Sequence, residues 1–165
     1  MTICDWITPL LAVGGRLDAD EVERLAREAG MRAVVDLRLE ECDDELMLDR
    51  HGVAFLYLPT PDMCAVKLDM LDEGVAFVRS WHKRNAPVLV HCEHGIGRSA
   101  TLALCVLVDS GMAPLDALAL LKERRGRVSP SPSQFEAWTE WLRQRGLAPP
   151  SFAEFSAIAY RHLRV

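Results

Sequence analysis

Cys92, Arg98 and Ser99 stand within the run His91-Cys92-Glu93-His94-Gly95-Ile96-Gly97-Arg98-Ser99. These residue types at this spacing suit phosphate chemistry. A loop from Cys92 to Arg98 that closes onto a helix N-terminus aims successive backbone N–H groups inward, where an anion accepts them. Gly95 and Gly97 permit backbone angles that other residues resist. Arg98 can hold two phosphoryl oxygens through its planar fork, which a lysine cannot do. The same field favours a thiolate on Cys92, and a thiolate is a strong nucleophile. One loop is thus expected to bind a phosphate dianion and to set an attacking sulfur beneath it. In a chain of this composition a chance match to the pattern His-Cys-x-x-Gly-x-x-Arg-Ser/Thr is on the order of one in ten thousand.

Such a loop needs a strand before it and a helix after it, and the flanking sequence predicts both. Pro87–Val90 is short and wholly apolar, as a buried central strand should be. Ser99–Ser110 is an almost wholly apolar helix that ends at Gly111. Further out, the patterns alternate. Ile7–Val13 reads as extended, interrupted by Pro9. Asp18 and Glu21 form a capping pair for a helix that stops at Gly30. Ala33–Leu37 and Val53–Leu58 read as strands, the second ended by Pro59 and Pro61. Leu68–Asn85 is a long helix, and Pro114 starts another. Ser133 is placed to cap a helix carrying Phe135, Trp138 and Trp141. Phe152–Leu163 is a last amphipathic segment after Pro149-Pro150. Strands separated by helices predict an α/β fold. The expected architecture is a single domain over residues 1–165, with a short, mixed but mostly parallel sheet flanked by helices on both faces. The phosphate loop joins a central strand to a helix.

The run His91–Ser99 resembles the signature loop of the cysteine-dependent protein tyrosine phosphatase superfamily, and the small size resembles its compact dual-specificity branch. Trp6–Gly15 resembles the opening strands of prokaryote-type members, Val34–Arg38 their second strand, and Leu58–Asp62 the loop that carries the general acid. The likeness covers about residues 5–145. The helical tail, residues 150–165, has no assigned counterpart. The resemblance implies a metal-independent, cofactor-free, two-step transfer through a phosphocysteine on Cys92. It further implies phosphate binding by Arg98 and the loop backbone of Glu93, His94, Gly95, Ile96 and Gly97. Ser99 matches the hydroxyl that assists departure of the thiolate, and His91 matches a hydrogen-bonding residue that tunes the loop.

Asp62 lies 30 residues before Cys92 on a loop after a strand, which suits the dual-specificity spacing of the acid. Asp69 and Asp72 are the alternatives, in or near a helix. Gln134 matches a glutamine that faces the site in compact relatives, where it could position water; a surface residue at a helix start is the competing reading. Arg124, Arg125 and Arg127 either complement a helix dipole or draw in an anionic substrate. The acidic stretch Glu40, Glu41, Asp43, Asp44, Glu45 and Asp49 reads as a solvated surface. His51, His82 and His162 read as surface or packing residues.

Composition narrows the rest. The chain has 165 residues, a formal charge of −5 and 50% hydrophobic residues, which fits one globular core and disfavours a nucleic-acid partner. Five cysteines with no CxxC pair argue against a disulfide framework and a zinc knuckle. Cys42 and Cys64 are candidate redox partners for Cys92, while Cys4 and Cys105 read as bystanders. No leader or membrane span is evident, so the expected compartment is the cytoplasm. Oligomeric state is not readable. The expected substrate is a phosphorylated protein. The runner-up is a lipid phosphate, either phosphatidylglycerophosphate or a phosphoinositide. A non-catalytic phosphate-binding module or a rhodanese-like sulfur-transfer domain is less favoured, because Cys92, Arg98 and Asp62 are all present.

Overall fold

The structure, a computed structural model, describes residues 3–163. Five strands form one sheet in the order β1-β2-β5-β3-β4. These are β1 (Cys4–Thr8), β2 (Leu11–Gly14), β3 (Ala33–Arg38), β4 (Ala54–Thr60) and β5 (Val88–His91). Strands β1 and β2 form an antiparallel hairpin that turns at Pro9-Leu10, and every other pairing is parallel. The sheet is mixed and mostly parallel, as the sequence implies.

Strand periodicity assigns side chains to the two faces. Ala12, Val34 and Leu89 point to one side, where α1 (Ala19–Glu28) and α2 (Glu45–Arg50) contribute Val22, Leu25 and Leu48. Val13, Val35, Val88 and Val90 point to the other. There they meet α3 (Leu68–His82), α4 (Arg98–Asp109), α5 (Pro114–Arg124) and α6 (Pro132–Gln144). Helix α4 is the axle of this layer: every residue from Arg98 to Val108 is buried. Its apolar sequence therefore reflects contact on all sides. Among the described residues no helix is long and apolar enough to cross a membrane.

The structure departs from the sequence expectations at several places. Strand β4 continues through Pro59 to Thr60. It is an edge strand, and its register with β3 shifts between Asp36 and Arg38, so the missing proline N–H falls at a bulge. Helix α3 stops at His82, and a turn follows that ends with Asn85 at φ +56°. Helix α6 is capped by Ser131 rather than Ser133, in a reciprocal capping box with Gln134. The tail, α7 (Phe152–Ala159) and a final turn of 3₁₀ helix (Arg161–Leu163), is part of the core. Phe155 and Ala159 are fully buried, and Phe155 packs on Phe135 with ring centroids 4.5 Å apart.

Candidate active site

The loop between β5 and α4 has a consistent polarity. Each of its carbonyls faces outward to a scaffold donor. Cys92 O contacts the His91 ring, Glu93 O accepts from Arg16 N, and Ile96 O accepts from Ser129 N. Gly97 O accepts from both the N–H and the hydroxyl of Thr101. Arg125 serves two more, donating from Nε to Gly95 O at 2.8 Å and from Nη2 to His94 O at 3.0 Å. Among the described residues, none of the N–H groups from Glu93 to Gly97 donates to a protein acceptor. They form an inward-facing nest that continues into α4, whose start carries no side-chain cap. The nest requires glycine at 95. Gly95 has φ +66°, and a Cβ there would lie 2.5 Å from the carbonyl carbon of Gly14.

Cys92 sits at the C-terminal end of β5, 3% exposed, with Sγ 3.3 Å from Ser99 Oγ. Arg98 is 1% exposed, and its fork is divided. Nη1 donates to Thr60 O at 2.8 Å and to both oxygens of Glu40. Nη2 is 3.4 Å from Asp62 Oδ1, and Nε is buried with no partner. One edge is thus anchored to the protein, while the Nε–Nη2 edge retains donors for an oxyanion. Burial opposes the Arg98 charge. The Glu40 hydrogen bond and the nearby Cys92 and Asp62 outweigh it, and the pKa lies above the ordinary guanidinium value.

Of the three aspartates offered by the sequence, only Asp62 meets Arg98. Asp72 accepts from Trp141 and Arg145, and Asp69 accepts from the neighbouring Met70 N in the first turn of α3. Glu93 turns its carboxylate away from the loop centre to Arg38, so only its backbone faces the nest. His94 is exposed at the mouth. His91 is fully buried with both ring nitrogens engaged, Nδ1 with Cys92 O and Nε2 with Asp43 at 2.5 Å. That arrangement fits a residue that positions the loop and leaves no free nitrogen for proton transfer. Gln134 is 1% exposed. Its Oε1 accepts from Ser131 N and its Nε2 donates to Cys64 O, so neither group points at free space. Gln134 thus stands at the helix start, but as a buried cap partner rather than a surface residue, with both ends of its amide engaged.

Several site residues escaped the sequence reading. Glu40 and Asp43 are paired members of the acidic stretch, Glu40 still exposed and Asp43 withdrawn from solvent. Glu40 grips Arg98, and Asp43, with a side chain 5% exposed, joins His91 to Arg38. Arg38 itself is buried and also holds the fully buried Asp36. An aspartate inside the apolar run Ala33–Leu37 was the available signal, because a buried carboxylate demands a partner. Arg125 is neither a dipole complement nor an exposed lure for anions. It is 3% exposed and also binds Asp5 at 2.8 Å. Asp36, Asp43 and His91 bring ligand atoms within 4.8 Å of one another. The Arg38 cation already lies on both carboxylates, so this donor set does not fit a second cation.

All five cysteines are free thiols. Burial pushes the Cys105 and Cys4 thiols up, consistent with inert residues. The exposed Cys42 thiol is also raised, by desolvation and by Asp36 and Asp43.

Comparison with known proteins agrees with this geometry. Residues 14–112 match the family described as Tc-R-P, polymorphic toxin system, DSP-PTPase phosphatase. The Homo sapiens protein phosphatidylglycerophosphatase and protein-tyrosine phosphatase 1 is 27% identical over 150 residues, covering 85% of this chain and 75% of that one. Dual specificity protein phosphatase 2 of Mus musculus is 38% identical over 76 residues, 45% of this chain but only 24% of that longer protein. Among solved structures, PTPMT1 in complex with PI(5)P superposes with a TM-score of 0.82 at 25% identity, covering 87% of this chain and 96% of that one. Tk-PTP in the active form gives 0.79 at 26% identity, with 86% and 97% covered. The chain belongs to the DSP-PTPase family of the cysteine-dependent protein tyrosine phosphatase superfamily and is a phosphatase, a hydrolase of phosphoric monoesters.

Proposed function

We propose that the protein is a protein-tyrosine or dual-specificity phosphatase that works through a phosphocysteine on Cys92, without metal or cofactor. The observation that carries this reading is the polarity of the loop. Its carbonyls are held outward, and its N–H groups and the Nε–Nη2 edge of Arg98 are left for an oxyanion above Cys92 Sγ. In the first step Cys92 Sγ bonds to phosphorus as the bond to the leaving oxygen breaks, and Asp62 delivers a proton to that oxygen. In the second, water attacks phosphorus and returns its proton to Asp62. The S–P bond breaks, and the electron pair stays on sulfur, where the Ser99 hydroxyl stabilises it. The loop N–H groups and Arg98 stabilise the equatorial oxygens in both transition states, which is the larger part of phosphoryl-transfer catalysis.

The rim supports a reading of the substrate class. Leu39 precedes Glu40 and Met63 follows Asp62, and both apolar side chains are more than half exposed. Both carboxylates touch Arg98, so an apolar residue stands beside each flank of the phosphate site. No lysine lies in the loop, and the nearby side chains Glu40 and Glu93 are acidic. These features support one phosphate on an apolar body, such as phosphotyrosine, over a polyphosphate. A lipid monophosphate is the second reading. It is supported by the same apolar rim and by the likeness to PTPMT1 solved with PI(5)P. The net charge of −5 supports a non-nucleic-acid substrate, and a chemistry that needs a reduced Cys92 fits a reducing compartment such as the cytoplasm.

Hydrolysis of an aryl phosphate in EDTA by wild type, Cys92→Ser and Asp62→Asn tests the reaction. Wild type should turn over and be inhibited by vanadate, and Cys92→Ser should be inactive. Activity that survives Cys92→Ser, or that requires added metal, contradicts the proposal. Phosphotyrosine peptides, phosphoserine peptides, phosphatidylglycerophosphate and phosphoinositides assayed in parallel separate the two substrate readings.

A further inference from the structure

We propose that Ser131 and Ser133, at the start of α6, are positioning residues that latch the general-acid segment over the phosphate loop. The proposal rests on the reading of Asp62 as the acid. The segment Pro61–Ala65 is exposed throughout and lacks helix or strand. Left to itself, such a segment is mobile. Here both hydroxyls donate to one carbonyl, Met63 O, from Ser131 Oγ at 2.8 Å and Ser133 Oγ at 3.0 Å. A third tie runs from Gln134 Nε2 to Cys64 O at 3.2 Å.

The ties hold a conformation that the chain would not choose unaided. Met63 has φ +65°, a left-handed conformation that costs energy for a long side chain, which here is exposed and gains little from burial. That turn lets Met63 N donate to Asp62 Oδ1 at 2.9 Å, the oxygen that lies 3.4 Å from Arg98 Nη2. The carboxyl is thereby aimed across the site. The same helix start is fixed to the phosphate loop. Gln134 packs against Gly97 so closely that a Cβ there would lie 2.5 Å from Oε1, and Ser129 N bonds Ile96 O. Helix α6 therefore references the acid to the loop that holds phosphorus, in addition to the direct contact of Asp62 with Arg98.

The serines should govern protonation of the leaving group and not phosphate binding. Ser133→Ala removes one donor without touching the α6 cap. Ser131→Gly removes the other and keeps the cap to within a few tenths of a kcal/mol. Kinetics on phenyl phosphate, whose leaving group needs a proton, are compared with 2,4-dinitrophenyl phosphate, whose leaving group does not. In kcat/KM, which reports the first transfer to Cys92 and not the later hydrolysis that both esters share, the double variant should lose about tenfold on phenyl phosphate, inside the roughly 100- to 10,000-fold that a general acid contributes. It should change less than about twofold on the dinitrophenyl ester, with vanadate inhibition unaltered. In an Asp62→Asn background the serine substitutions should have no further effect on phenyl phosphate, and Ser133→Thr should restore the single-site loss. Equal losses on both esters, no loss, or a loss that persists without Asp62 overturns the latch while leaving the acid assignment standing. Failure of Asp62→Asn itself to discriminate between the esters overturns the acid assignment and the latch with it.

Discussion

Arg125 Nε donates to the carbonyl of Gly95 at 2.8 Å, so a side chain 30 residues downstream decides which way the phosphate loop presents its peptide groups. With Nη2 on His94 O and Nη1 on Asp5, the guanidinium fixes the outer face of the loop to β1. Turning those carbonyls outward turns their partner N–H groups inward.

Arg125→Ala should therefore weaken oxyanion binding from a distance. The buried Gly95 carbonyl would lose its donor, at about 1–3 kcal/mol for a group left unsatisfied, and the part-buried His94 carbonyl would lose its own. We expect vanadate affinity to fall by about tenfold or more and kcat/KM to fall with it. Arg125→Lys should recover little, because an ammonium cannot span three acceptors as the fork does. Unchanged vanadate inhibition in Arg125→Ala would show that the loop holds its shape without it.

Arg38→Met should act on stability first. Arg38 is 3% exposed and neutralises Asp36, which is fully buried, and Asp43. Removing one partner of a buried pair costs about 3–5 kcal/mol. Urea unfolding should show a loss of that size. Restoration by a second change, Asp36→Leu, is expected, because it removes the stranded charge.

Phe155→Ala should destabilise by about 3–5 kcal/mol, the usual cost of emptying an aromatic core site. Phe155 is fully buried against Phe135 and Trp138. Retention of wild-type stability would mean that the tail is an appendage. Tyr160, whose hydroxyl donates to Pro130 O, ties the same tail to the loop that precedes α6.

Lys122 gives the fold a pH dependence at the alkaline end. Its ammonium is 1% exposed and lies against Val128 O, Ala159 O and His162 Nδ1. Burial, with repulsion from Arg161, pushes its pKa down to about 8. The unfolded chain holds that proton up to about 10.5, the ordinary lysine value. Between these values the unfolded state binds more protons, so the Lys122 contribution to stability rises with pH across the window from about 8 to about 10.5. The urea midpoint of wild type minus that of Lys122→Met should increase across the window. A flat difference would place the Lys122 pKa at its ordinary value.

Cys42 should be a poor resolving partner for an oxidised Cys92. Desolvation and the carboxylates of Asp36 and Asp43 keep its thiol raised, and the thiolate is the attacking species in disulfide formation. Mild peroxide at neutral pH should leave no Cys92–Cys42 crosslink by mass spectrometry, and Cys42→Ser should be inactivated at the wild-type rate. A prominent Cys92–Cys42 disulfide would reverse this view and give Cys42 a protective role.

What the sequence revealed and what it hid divide along a physical line. The phosphate loop, its strand and its helix were legible because their chemistry is local: Cys92, Gly95, Arg98 and Ser99 lie within one turn of chain and need particular backbone angles. Asp62 was singled out by the spacing that the family resemblance implies, and the structure sets it 3.4 Å from Arg98. Arg125, Glu40 and Asp43 were not legible, since each acts across 30 or more residues on a partner that only the sheet order brings near. Charge runs look alike whether solvated or paired. Pro59 does not stop β4, because edge position and a bulge, which excuse a proline, are properties of the assembled sheet that local sequence does not carry. The tail was unassigned because Phe152–Ala159 pairs its apolar face with α5 and α6, a tertiary contact that periodicity does not name.

The most direct measurement is rapid quench of Ser99→Ala in denaturant near neutral pH during turnover of an aryl phosphate, followed by mass spectrometry of its peptides. Ser99 Oγ lies 3.3 Å from Cys92 Sγ, so its loss should slow departure of the thiolate and let the covalent intermediate accumulate. A phosphoryl group on Cys92, absent in Cys92→Ser, is the expected result. Product formation with no phosphoenzyme, or a phosphoryl group on His91 or His94 instead, would contradict the phosphocysteine route.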